Sequence, residues 1–146
     1  MAMTPTRLKS IIISTCDHLD QRYPTAGDWT IAEAALTIRI SRLPNSIHEY
    51  PLIIHELAEA LLCHASGIDT ATVDRWDFTH QDSSDPGLDI HCPYHTQHLI
   101  ATDLEYRMVH ALGLNEAEYN DSLRRLDEGP QPRWPGEPSG LAEEAE

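Results

Sequence analysis

The chain predicts an α+β fold in which strands come first and helices follow. Three observations carry that prediction. Residues 9–16 (KSIIISTC) are rich in β-branched side chains, residues 35–41 (ALTIRIS) alternate apolar with polar, and two long helical stretches come later.

Each element has a local reason. Residues 9–16 read as a buried strand, and the stretch DHLDQRYPTAGDW after them carries Pro24, Gly27 and other turn formers, so it is a loop. In 35–41, Leu36, Ile38 and Ile40 point one way and Thr37, Arg39 and Ser41 the other. That makes a half-buried strand, paired with residues 30–33 through a short turn. Asn45 or Ser46 is placed to cap a helix whose clearest part is 52–65, with Gly67 as its stop. A short helical turn around 72–76 and the polar loop QDSSDPG lead to a second strong helix over 94–112, entered from Pro93 and ended by Gly113. Asn115 caps a third over 116–126. The domain is therefore expected to have two or three N-terminal strands, antiparallel or mixed, packed on the two central helices.

Composition narrows the function. The 146 residues suffice for one domain, and 40% hydrophobic content supports a modest core. With 24 acidic against 10 basic side chains the net charge is -14, which argues against duplex nucleic-acid binding, since phosphate affinity comes largely from Lys and Arg. The acidity is uneven. Residues 127–146 hold six acids, four prolines and three glycines, and read as a disordered tail that leaves 1–126 as the domain. Cys16, Cys63 and Cys92 form no CxxC pair, as expected of reduced thiols. The run Ile11–Ile13 is too short for a leader or a membrane span, so a cytoplasmic protein is expected.

Nine histidines are many for this length, and most lie between His48 and His98. On a helical wheel of 52–65, His55, Glu56, Glu59 and Cys63 share a narrow stripe, while Ile53, Ile54, Leu57, Leu61 and Leu62 fill a wide apolar arc. On the 94–112 helix, His95, His98, Thr102 and Glu105 lie on or beside the apolar side, with Asp103 and Arg107 opposite. Two His/Glu stripes facing inward would bury charge at high cost unless partnered, and a metal ion satisfies both together. Nitrogen and carboxylate donors favour zinc, with iron or manganese next.

The central motif is HExxE, from His55 to Glu59. Its first and last residues lie one helical turn apart, as the two ligands of HExxH do, and the Glu beside the first His is the usual base. This makes His55 and Glu59 ligands and Glu56 the catalytic candidate, with a third ligand from His98 or His95. His98 is the better aligned, and Glu105 and Thr102 are candidates to orient a ligand or touch substrate. Two ions shared by Glu56, Glu59, His95, His98 and Glu105 are a further arrangement these stripes allow. Cys63 is too far along the helix to share an ion with His55, so it is expected to be a buried apolar thiol.

The segments QRYPTAGDW, LTIRIS, HELAEALLC and PYHTQHLIATDLEY resemble a family of small uncharacterised phage and prophage proteins that read like a minimal zincin-like metallopeptidase. The resemblance spans roughly residues 9–115 and extends to Asp74 and Asp77 of VDRWDF. It implies metal binding through His55, Glu59 and a histidine of PYHTQH, with Glu56 as base, and a place in the host cytoplasm if phage-encoded. No HExxH occurs, which departs from standard metallopeptidases. The expected function is a zinc-dependent hydrolase acting on a peptide or amide bond. The alternative is a non-catalytic metal-binding protein that modulates a host partner.

Overall fold

The computed structural model describes residues 4–136. Strands β1 (Ser10–Cys16), β2 (Gly27–Ala32) and β3 (Ala35–Ser41) form one mixed sheet in the order β1-β3-β2. β1 runs parallel to β3 and β2 antiparallel to it. Four helices follow: α1 (Glu49–Ala65), α2 (Thr70–Thr79), α3 (His95–Ala111) and α4 (Glu116–Glu128). The α+β plan with a mixed sheet is therefore as expected.

The predicted alternation in β3 is realised. Leu36, Ile38 and Ile40 are fully buried, and Trp29, opposite Ile38 on β2, joins the same face. The hairpin between β2 and β3 turns through Glu33 and Ala34 at φ 51° and 65°, a conformation that glycine or asparagine usually takes in two-residue loops. α1 lies over β2 and β3 and packs along α3, so the core is the space between one sheet face and this helix pair.

β1 corrects the expectation of a buried strand. Ile11, Ile12 and Ile13 are 49%, 55% and 42% exposed. The reason is position: β1 is an edge strand, and α1 covers the other two. Run composition alone does not distinguish an edge from a centre.

The helices begin and end where capping chemistry puts them. The side chains of Asn45, Asp69 and Asn115 accept from the backbone N–H of Ile47, Thr72 and Glu118. Gly67 and Gly113, at φ 75° and 68°, follow the ends of α1 and α3. α2 is a full helix rather than the short turn expected around 72–76, because Asp69 caps it and Val73 anchors it. A three-residue 3-10 turn, Pro86–Leu88, sits just ahead of α3 and packs on it.

Burial on the two central helices runs opposite to simple amphipathicity. α1 buries His55, Glu56, Glu59, Ala60 and Cys63, whereas Ile53, Ile54 and Leu57 of its apolar arc are only half-buried and Leu61 is 40% exposed. α3 likewise buries His98, Ala101, Glu105 and Val109, and leaves Leu99 and Ile100 exposed. The polar stripes face inward as expected; the wide apolar arc does not make α1 a wholly buried helix.

Residues 127–136 of the expected tail pack on the body. α4 continues to Glu128, and the chain to Gly136 lies against the body, with Trp134 stacked on Tyr23 at 5.3 Å and edge-on to Phe78 at 5.9 Å. Gln131 also bonds His18 at 2.7 Å. A single large aromatic offsets the ordering cost of this proline-rich stretch. Residues 137–146 of the expected tail lie outside the described residues.

The inverted exposure of β1 and β3 has a measurable consequence. Ile38→Ala should cost about 2–5 kcal/mol in urea unfolding, whereas Ile12→Thr should change stability by no more than about 0.5 kcal/mol. Equal losses at the two positions would mean that β1 is covered in solution.

Candidate metal centre

The HExxE turn of α1 faces the first turn of α3, and three donors meet there. Ligand atoms of His55, Glu59 and His98 all lie within 4.8 Å of one another, and all three side chains are buried. Glu59 Oε2 is the common point, 3.2 Å from His55 Nε2 and 2.8 Å from His98 Nδ1. Its other oxygen accepts from Trp29 Nε1 at 3.1 Å, so β2 also fixes this carboxylate.

The far side of each imidazole meets a further carboxylate. His55 Nδ1 is 2.8 Å from Glu105 Oε1, and Glu105 is itself held by the Tyr119 hydroxyl, which donates to Oε2 at 2.6 Å. His98 Nε2 lies 2.8 Å from Asp85 Oδ1, though off the hydrogen-bonding direction, since Nε2 is buried without a hydrogen-bond partner. Carboxylates behind ligand histidines orient the rings and raise their basicity. Glu105, a candidate from the sequence to orient a ligand, contacts the His55 ring. Asp85 and Tyr119 were not foreseen: one sits in a loop and the other on α4, and nothing in their spacing ties them to His98 or Glu105.

Two glycines let the site close up. A Cβ on Gly27 would fall 2.7 Å from the Glu56 side chain, and one on Gly87 would fall 2.4 Å from the His98 ring. His95, counted among the ligands in the sequence, does not join the donor group. Its Nδ1 lies 2.9 Å from the Gly87 carbonyl, as expected of an N–H donor, so it holds the 86–88 turn against His98. Three residues before His98, it points to the loop rather than to Glu59. Thr102 lines the cavity, but its hydroxyl donates to the His98 carbonyl at 2.9 Å and contacts no donor. With His95 and Glu105 engaged elsewhere, the group that the described residues assemble has three donors and suits one ion.

The surrounding acids and tyrosines tie the site to α2. Asp77 accepts from Tyr23 at 3.0 Å and also from Tyr94, and burial pushes its pKa up to about 6. Arg22 grips Asp28 and Asp74 through two nitrogens each, at 2.7–3.0 Å. Both VDRWDF acids therefore tie α2 to the segments around the site, and Cys63 is a fully buried core thiol, as expected.

Charge balance at the triad is unequal. Burial alone would raise Glu59, yet the hydrogen bonds from His55 and His98 outweigh it and hold its pKa down to about 2. Burial opposes the charge on His98, but Asp85 and Glu59 beside it bring its pKa up to about 9. His55 is raised well above the usual histidine value by Glu105 and Glu59, again against burial. Glu56 moves the other way from Glu59: burial and the neighbouring Glu59 charge push it well above the carboxylate range. No hydrogen bond from a described residue steadies it, and it faces a cavity of about 780 Å³ that the whole triad also lines.

Comparison with known proteins returns no matching family model, no matching curated protein and no matching solved structure. What the site does is therefore argued from its donors alone. They fit a divalent cation: two imidazoles and an ionised carboxylate converge within 4.8 Å of one another.

Two predictions follow from this geometry. Because His55 and His98 hold protons more tightly than a free histidine does, added Zn2+ would have to displace them, so its uptake near pH 7 should release up to about two protons per ion. Affinity should then rise with pH until both imidazoles have given up their protons, His98 doing so near 9. Calorimetry in buffers of different ionisation enthalpy reads both, and proton release near zero would contradict the assignment. Glu105→Gln should weaken zinc binding by about 10- to 100-fold while the fold is kept, as far-UV circular dichroism would check.

Proposed function

We propose that the protein is a zinc-dependent hydrolase that cleaves a peptide or amide bond. The observation that carries this reading is the meeting of His55, Glu59 and His98 at a cavity into which the Glu56 carboxyl also faces without a hydrogen bond from a described residue. Iron or manganese would suit the same donors less well.

When bound, a divalent cation supplies positive charge that polarises a carbonyl and makes water a better nucleophile at neutral pH. The chain's residues do the rest. Glu105 and Asp85 hold the two rings in orientation from behind, and Trp29 fixes the Glu59 carboxylate. Glu56, on the same helix one residue after His55, is placed to take a proton from water and return it to a leaving amine. Its raised proton affinity suits the return step, and added positive charge beside it would lower that affinity toward the neutral range. The turn 86–88, held by His95, keeps His98 in place.

The same proton affinity favours a second reading, a metal-binding protein without catalysis that modulates a partner. A carboxyl that burial makes harder to ionise is a poorer base. The resemblance to phage and prophage proteins belongs to either reading, and with it a place in a host cytoplasm. No helix among the described residues is long and apolar enough to cross a membrane.

Protein purified without a histidine tag should carry about one zinc per chain. With a mixed casein-peptide substrate followed by mass spectrometry, Glu56→Gln should retain zinc and lose cleavage by about 100-fold or more. A folded protein that binds no divalent metal would sink both readings. Zinc bound without any cleavage by the wild-type chain would select the second.

A further inference from the structure

The cavity in front of the triad is lined almost entirely by one sign of charge. Asp28, Glu56, Glu59, Asp77, Glu105 and three acids nearer its mouth (Asp82, Asp85 and Asp127) contribute to its wall, against Arg133 as the one Lys or Arg among the lining residues. The deeper acids are already answered. Arg22 pairs with Asp28 at 2.7 Å, the two imidazoles bracket Glu59, and His55 with Tyr119 satisfies Glu105. Glu56 lines the cavity from α1 and is buried, 9% exposed. Asp82 and Asp127 form no ion pair with any described residue, and Asp85 has only the misaligned His98. A cation at the triad would offset charge at the floor of the cavity and leave the mouth negative.

We propose that this cavity selects peptides carrying a lysine or arginine side chain next to the bond presented to the triad. This inference rests on the hydrolase reading and deepens it. An observation independent of the acids at the mouth points to a ligand here: the buried Glu56 carboxyl faces the cavity with no hydrogen bond from a described residue. The volume of about 780 Å³ accommodates several side chains. A cleft of one sign concentrates ligands of the other and rejects like charge, so an acidic side chain would meet Asp82, Asp85 and Asp127 with no partner. Strand β2 and helices α1 and α3 contribute the regular part of the wall, and the acids of the mouth sit on the loop before α3 and at the end of α4. Charge selection is thus built into connecting segments, and the metal donors into regular elements.

The test uses the full chain loaded with zinc and three dipeptide hydroxamates that differ only in side chain: lysyl, leucyl and glutamyl. Competition calorimetry at low salt should rank them lysyl, leucyl, glutamyl, with about a tenfold step between neighbours that shrinks as salt is raised. Asp82→Asn with Asp127→Asn should reduce the lysyl-to-leucyl ratio to about threefold or less. The charge-matched control Asp103→Asn with Glu116→Gln, which alters acids outside the cavity, should leave the ratio intact. Leucyl binding equal to or tighter than lysyl would overturn the inference, and so would an equal loss of preference in the control. Failure of all three probes on a zinc-loaded chain would instead overturn the hydrolase reading beneath it.

Discussion

Everything at the centre of this molecule is arranged around a single buried carboxylate, that of Glu59. A lone ionised carboxylate in such a place would cost several kcal/mol. Here one oxygen is shared by imidazoles from two helices and the other accepts from an indole of the sheet. Removing any one of those partners would leave charge uncompensated. The contact between α1 and α3, and the seat of α1 on β2, are therefore electrostatic as much as apolar.

That constraint explains the inverted burial of the helices. A helix packs with its most demanding face inward, and here the most demanding groups are polar. His55, Glu56 and Glu59 take the protected side of α1, while Ile53, Ile54 and Leu57 are left half-covered. Ala60 and Ala101, both fully buried, mark the small-residue positions on the inner faces of the two helices. The proton affinities follow from the same closeness. Burial first, and then the Glu59 charge beside it, raise the proton affinity of Glu56, while the two imidazoles lower that of Glu59.

Such a centre is held by layers of support. Tyr119 on α4 steadies Glu105, which steadies His55; Gly87 yields space for His98 and accepts from His95, which pins the turn. Trp134 closes the far rim by stacking on Tyr23, whose hydroxyl reaches Asp77. Elements distant in sequence thus bear on one carboxylate, and each layer leaves the next with fewer orientations to sample.

Much of this was legible in the linear chain. Alternation located β3 to the residue, caps and glycines located the helix ends, and the spacing of His55 with Glu59 and the phase of His98 identified the donors that meet. These are short-range properties, fixed by helix and strand periods. The tertiary structure decided the rest. Whether Ile11–Ile13 lies at an edge, whether Trp134 finds an aromatic to stack on, and which of His95 and His98 faces Glu59 all depend on neighbours many residues away. Asp85 and Tyr119 reach the histidine and carboxylate they serve only because a loop and a fourth helix fold back on the site. Periodicity states which side chains share a face; only packing states what that face meets.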